Sequence, residues 1–296
     1  LVAAQADPDP DFPTVPFPNP EEAGALDMAI EQAREQGADL IIAVDPDADR
    51  CALAVPDPTS ETGWSPLSGD QIGSLLGEFL AARGMTGSLA HSIVSSRLLS
   101  RIARAHGLEH HTTLTGFKWI ARAPGLGFGY EEAIGFCPDP GNVRDKDGIA
   151  TSVVAASLVA ALKAQGHSVW DELERLARLH GLHVSSPLTF RVEQIEQIAS
   201  GMARLRAQPP SVLAGSPVVE VSDLSQGYRG LPPTDGVLVL TEAGDRVIAR
   251  PSGTEPKLKC YLEVILPAPE GEPVPWDAAY ERLELIKREF GQIIGL

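Results

Sequence analysis

The sequence predicts an α/β protein of several domains, with mixed α/β sheets and flanking helices followed by a separate C-terminal α+β domain. Three observations predict it. Helical patterns alternate with short apolar runs over the first two thirds of the chain. Closely spaced strands then take over. The 296 residues, 43% of them hydrophobic and 22% charged, are enough for two or three cores. The expected divisions are 1–66, 67–186 and 187–296.

The elements follow in order. Residues 7–20 are rich in Pro and Asp and read as an extended loop. Asn19 suits an N-cap, Pro20 a first helical position, and Glu21 and Glu22 the positive end of a helix that Gly37 closes. Leu40–Val44 follows as a buried strand. Ile72, Leu75, Leu76, Phe79 and Leu80 mark an amphipathic helix ended by Gly84. Ser92–Ser95 reads as a strand and 98–102 as a helix. Residues 109–114 form another strand, 116–122 a short helix, and 127–137 strand and loop. Asp147 caps a helix through Lys163. Beyond residue 187, strands at 188–192, 218–222, 236–241, 246–250 and 258–265 surround a helix at 193–206. A last helix, 276–290, places Trp276, Tyr280, Leu283, Ile286 and Phe290 on one face. This pattern predicts an antiparallel sheet with helices on one side.

Composition excludes some classes of function. A net charge of −16 argues against a nucleic-acid partner, whose phosphates need a basic surface. No apolar run approaches the roughly 18 residues of a membrane span, and no basic leader with an apolar core is visible, so no membrane partner is expected. Cys51, Cys137 and Cys260 are odd in number and scattered, which suits reduced thiols and a cytoplasmic setting. The chain opens on Leu1 in what reads as the interior of something longer, and a fragment is expected.

Three segments carry chemistry. Asp45, Asp47 and Asp49 alternate after an apolar run, so in an extended segment they converge on one hard cation, for which Mg²⁺ is suited. The rival EF-hand loop fails, because its sixth position is Arg50 rather than Gly and its twelfth is Pro56 rather than Glu. Arg50 can pair with a phosphate bridging to the metal. Glu131 and Glu132 lie among glycines and can accept from vicinal sugar hydroxyls; the spacing is wrong for a dinucleotide-binding loop. Arg250-Pro-Ser-Gly-Thr254 offers a guanidinium, the hydroxyls of Ser252 and Thr254, and Gly253 for close approach to an anion, with Lys257 nearby. Lys118 is a further candidate cation. A metal, a polyol and a phosphate together point to a phosphorylated sugar and to phosphoryl transfer. The seven histidines lack metal-ligand spacing, and Ser95-Ser96 lacks the setting of a nucleophile and reads as a strand end.

Asp45-Pro-Asp-Ala-Asp-Arg50, Thr115-Gly-Phe-Lys-Trp119, Tyr130-Glu-Glu-Ala-Ile-Gly135, Asp145-Lys-Asp-Gly148 and Arg250-Pro-Ser-Gly-Thr254 occur in that order. In these segments, and along nearly all its length, the chain resembles the α-D-phosphohexomutase family, notably its phosphoglucomutase/phosphomannomutase and phosphopentomutase-like branch. The resemblance implies four domains in the whole protein, of which this chain holds the end of the second, the third and the fourth. It implies metal ligation by Asp45, Asp47 and Asp49, and roles for Arg50 and Lys118 at the reacting group. Glu131, Glu132 and Ala133 become the sugar loop, and Arg250, Ser252, Gly253 and Thr254 the phosphate loop. It also implies hexose 1,6-bisphosphate as activator and an N-terminal phosphoserine domain as the missing partner. Two departures stand out: no T-x-S-H-N-P-type motif occurs, and Ala133 replaces the serine of the usual Glu-Glu-Ser. The first implies that the chain alone does not turn over, and the second leaves the sugar open. A non-catalytic phosphosugar-binding protein is the competing expectation.

Overall fold

The computed structural model describes residues 1–7, 9–252 and 256–295. Contacts divide the chain into two units, Leu1–Leu173 and Glu174–Leu296.

The first unit begins with loop and turns. The helix expected from Pro20 starts only at Asp27, as α1 (Asp27–Gln36). Asn19 does accept an amide, that of Glu21 at 3.0 Å, but Gly24 at φ 83° breaks the run. The predicted end holds, because Gly37 is left-handed at φ 61°. The strands β1 (Ile41–Val44), β2 (Cys51–Pro56) and β3 (Trp64–Pro66) form an antiparallel sheet in that order. β1 is not fully buried as expected: Ile42 and Val44 are 37% and 43% exposed. It is an outer strand, and only its alternate residues Ile41 and Ala43 pack on the core made by Leu26 and by Ile30 and Ala33 of α1.

The chain continues through α2 (Gly69–Ala82), β4 (Ser88–Ser92), α3 (Leu98–Ala105), β5 (Glu109–Thr113), α4 (Phe117–Ile120), β6 (Leu126–Glu131), β7 (Gly135–Cys137) and α5 (Gly148–Ala164). The four strands order β5-β4-β6-β7, the first three parallel and β7 antiparallel. Strands joined through helices in this way require the α/β alternation seen in the sequence. α2 opens with a capping box between Ser68 and Gln71. It is buried nearly all round rather than on one stripe. Gly69, Gly73 and Gly77 admit close neighbours: a Cβ at Gly73 would stand 2.5 Å from the Tyr130 ring, and one at Gly77 2.5 Å from Leu99. β4 ends where a strand was expected to begin, so Ile93–Ser96 form the turn into α3. A helix unforeseen in the sequence, α6 (Val169–His180), crosses into the second unit. Its start was legible: Ser168 and Asp171 exchange side-chain and amide hydrogen bonds of 2.7 and 3.1 Å.

The second unit comprises β8 (Leu182–Arg191), α7 (Ile195–Ala207), β9 (Val212–Leu213), β10 (Ser216–Asp223), β11 (Val237–Thr241), β12 (Arg246–Pro251), β13 (Lys257–Leu266) and α8 (Trp276–Ile294). The strands form one antiparallel sheet, β8-β13-β12-β11-β10-β9, as expected of the α+β part. Alternate residues Val237, Val239, Val247, Ala249, Leu258 and Leu262 share a core with Met202 and Leu205 of α7 and with Leu283, Ile286 and Phe290 of α8. Tyr280 does not join that face; it is half exposed, and Ala279 takes the buried position.

Candidate active site

The acidic segment is the loop of a hairpin, since Val44 of β1 pairs directly with Cys51 of β2. One oxygen from each of Asp45, Asp47 and Asp49 lies within 4.8 Å of the others. The sequence predicted this convergence from extended alternation, but the loop achieves it by turning. The Ala48 amide donates to the Asp45 carbonyl at 2.9 Å, and Ala48 sits at φ 56°. The Arg50 amide donates to Asp45 Oδ1 at 3.0 Å. Burial, which the Arg50 amide only partly offsets, raises the Asp45 carboxyl above its usual range, with Asp47 and Asp49 adding to the rise. Three convergent carboxylates are the hard-oxygen donor set that suits Mg²⁺ and leaves positions for other oxygens. Two cations stand beside them. Lys146 Nζ lies 2.6 Å from Asp49 Oδ2, and Arg50 Nε lies 3.9 Å from both Asp45 and Asp49.

This loop is sewn by main chain to the segment that carries the glutamates. Arg50 bridges Gly135, and the Cys51 amide donates to the Ile134 carbonyl at 3.0 Å. The start of α5 holds both segments. The Gly148 amide donates to Ala48 O at 3.0 Å, and the Asp147 amide donates to Phe136 O at 2.8 Å. Asp147 also caps the helix as predicted, accepting from the Ala150 amide at 2.8 Å. A Cβ on Gly148 would come within 2.4 Å of Arg50 O and 2.7 Å of Ala48 O. Each loop therefore keeps one non-glycine residue in the left-handed region, Ala48 and Ile134 (φ 52°), with its carbonyl hydrogen-bonded to a neighbouring segment.

Glu131 and Glu132 do not share one environment. Burial pushes the Glu131 carboxyl up to about 7, with the charge of Glu132 adding to the rise and Lys146 and Arg50 opposing it. Glu132 Oε2 accepts from Ser95 Oγ at 2.8 Å and Ser92 Oγ at 3.0 Å. Ala133 follows in the turn between β6 and β7. Lys118 is exposed on α4, 6.0 Å from the Trp119 ring. Its buried neighbour Phe117 has Lys146 Nζ 5.7 Å from its ring.

Lys146, Ser92 and Ser95 were given no role by sequence reasoning. Lys146 sits in Asp145-Lys-Asp-Gly148, whose recurrence with the other motifs was visible. The two serines leave no local trace, because their partner lies 37 and 40 residues away.

In the second unit Arg250 lies near the end of β12, opposite Lys259 of β13. The Ser252 amide donates to Lys257 O at 2.8 Å, closing the ladder before the loop. Gly253 and Thr254 lie outside the described residues. Lys257 pairs in register with Arg191, so register places Arg191, Arg250, Lys257 and Lys259 on one sheet face.

Comparison with known proteins decides the family. Models of three consecutive phosphoglucomutase/phosphomannomutase domains match: α/β/α domain II over residues 1–59, α/β/α domain III over 68–179 and the C-terminal domain over 190–271. The chain belongs to the α-D-phosphohexomutase family. A phosphohexomutase relative, the probable phosphomannomutase of Haemophilus influenzae, is 46% identical over 265 residues, covering 89% of this chain and 54% of that protein. A phosphoglucomutase of Staphylococcus aureus is 35% identical over 293 residues, covering 90% and 52%. Among solved structures, a phosphoglucomutase/phosphomannomutase family protein of Burkholderia thailandensis matches 97% of this chain and 54% of its own, with TM-score 0.67 and 18% identity. That likeness is one of fold. The chain spans about half the length of the curated relatives it matches.

Proposed function

We propose that this chain is the metal-, sugar- and phosphate-binding part of a phosphosugar mutase, an intramolecular phosphotransferase that interconverts hexose 1-phosphate and hexose 6-phosphate. The observation that carries the proposal is the main-chain seam between the acidic hairpin loop and the Glu131–Gly135 turn. It makes a divalent-cation site and a polyol site neighbours within one unit. Relatives named phosphomannomutase and phosphoglucomutase support the reaction class. They differ in sugar, and Ala133 takes one hydroxyl out of the loop proposed to read it.

In the proposed reaction a phosphoserine, expected on the family's first domain, gives its phosphoryl group to a free hydroxyl of the sugar phosphate. The serine O–P bond breaks, the sugar O–P bond forms, and the proton of the sugar hydroxyl ends on the serine oxygen. The resulting hexose 1,6-bisphosphate turns round and returns its other phosphoryl group to the serine. The same bisphosphate, added from outside, would activate the enzyme by phosphorylating that serine. Mg²⁺ on Asp45, Asp47 and Asp49 would supply positive charge where negative charge gathers. Arg50 and Lys118 would hold the reacting phosphate, while Glu131 and Glu132 take sugar hydroxyls. Arg250, Ser252, Gly253, Thr254 and Lys257 would bind the phosphate that is not transferred. With divisions at 66/67 and 186/187, metal ligation, sugar recognition and binding of the untransferred phosphate would fall to three successive domains.

The test is a coupled assay of the protein expressed from the whole reading frame, with glucose, mannose and ribose 1-phosphates and a trace of glucose 1,6-bisphosphate. Turnover of one of them that Asp47→Asn cuts at least tenfold supports the proposal. Binding of a sugar phosphate without turnover of any would favour a non-catalytic binding protein.

A further inference from the structure

Ser95 touches Glu132 at both ends. Its hydroxyl donates to the carboxylate oxygen Oε2 at 2.8 Å and accepts from the backbone amide of the same glutamate at 3.2 Å. Ser92 adds a second donor to Oε2 at 3.0 Å, and its hydroxyl accepts from the Ser95 amide at 3.3 Å. A glutamate held at the main chain and at the carboxylate by one residue keeps little of its rotamer freedom. The other oxygen, Oε1, has no protein hydrogen-bond partner among the described residues, and Glu132 is only half buried.

The platform beneath is rigid as well. Ser92, the last residue of β4, and Ser95, in the turn that follows, are fully buried. Buried Asp70, at the start of α2, accepts from the Ser96 amide at 2.7 Å and from the Tyr130 hydroxyl at 2.9 Å. It thereby fixes that turn and β6, the strand that leads into Glu132. Gly69 lets α2 lie against the same loop, since a Cβ there would stand 2.0 Å from the Glu132 carbonyl oxygen. Buried serine hydroxyls could satisfy a carboxylate for stability alone. Double engagement of one oxygen, with the other left without a protein donor, is what a carboxylate needs in order to present a single acceptor in a fixed direction.

We infer that Ser95, backed by Ser92, is a positioning residue that sets sugar selectivity by aiming Glu132 Oε1 at one substrate hydroxyl. The inference rests on the proposed role of the Glu131–Gly135 turn in binding sugar, and its test separates the two.

Residues 1–296 are titrated by calorimetry, with Mg²⁺ present, with glucose 1-phosphate and with its 2-, 3- and 4-deoxy analogues. In the parent chain one analogue should bind about tenfold more weakly than glucose 1-phosphate, a loss of about 1.4 kcal/mol. Ser95→Ala should shrink that ratio to about twofold and leave the other two ratios unchanged, and Ser95→Thr, which keeps the hydroxyl, should restore it. A purely structural serine would lower the melting temperature and leave every ratio where it was, which overturns the inference. If Ser95→Ala does not fold, Ser92→Ala removes only one donor to Oε2, and an unchanged ratio there has the same meaning. Glu132→Gln is the control for the underlying reading. If it moves none of the ratios, the sugar-loop assignment itself fails; if it moves one and the serine variants do not, only the inference fails.

Discussion

Two hairpin loops of opposite charge carry the chemistry proposed here, and they are built differently. The acidic one joins β1 to β2 and crowds three carboxylates within 4.8 Å. The basic one joins β12 to β13, and its cations are spread along strand ends, Arg250 opposite Lys259 and Lys257 opposite Arg191. Like charges that converge raise their own energy, so the acidic loop needs outside support. That support comes from the α5 N-terminus, the Ile134 carbonyl and Lys146. Like charges directly opposite on a ladder repel as well, but the long stems of Arg and Lys let their charged ends stand out in water, and the ladder itself closes the loop through the Ser252 amide. The contrast teaches that convergence is bought with bracing, and that the residues which brace are as much a part of the site as the ligands.

The largest effect should come from neutralising the acid side. Glu131 has its carboxyl raised to about 7, chiefly by burial. Its proton therefore stabilises the fold fully below the unfolded value near 4.5, and that stability is lost as pH rises through about 7. Glu131→Gln stays neutral throughout. Its stability relative to the parent should rise by roughly 2–4 kcal/mol between pH 5 and pH 8 without metal. Urea unfolding followed by tryptophan fluorescence reads this, since Trp64, Trp119 and Trp170 lie in the first unit. A difference that does not change with pH would remove the electrostatic half of the comparison.

The next test attacks the bracing. Gly148→Ala places a methyl against two loop carbonyls and should cost roughly 1–3 kcal/mol. Mg²⁺ affinity should fall at least tenfold, because Ala48 and Arg50 are displaced while all three aspartates remain. Normal metal affinity in a destabilised variant would show that the seam is scaffold only.

Much of this was legible in the sequence, and the failures have physical causes. The α/β to α+β order, the Asp147 cap and the acidic cluster were all readable, because each rests on local spacing or on a residue's own hydrogen-bonding habit. The start of α1 was misread because Asn19 makes the same side-chain bond in a turn as in a cap. Exposure of Ile42 and Val44 could not be read, since burial of a strand depends on what covers it. The Ser95–Glu132 clamp was invisible for a related reason: it joins the turn after β4 to the end of β6, and neither segment announces the other. The glycines of α2 were visible at four-residue spacing, yet only the fold says that they admit Tyr130 and Leu99.

The basic loop should respond least in stability. Arg250→Ala is expected to change unfolding by less than about 0.5 kcal/mol, as for other substitutions outside a core. It should weaken glucose 1-phosphate binding about tenfold, which calorimetry on residues 1–296 would show. A large loss of stability with unchanged affinity would reverse the contrast between the loops.

The central claim is that Asp45, Asp47 and Asp49 form one divalent-cation site held in place by the seam. Its most direct test is a Mg²⁺ titration of residues 1–296 and of Asp47→Asn, by calorimetry at pH 7.5, with a melting curve for each. Asp47 is exposed, so the variant should melt with its parent. A single Mg²⁺ site is expected in the parent, with at least tenfold weaker binding in Asp47→Asn. Equal Mg²⁺ affinity in the two proteins, or no binding in either, would contradict it.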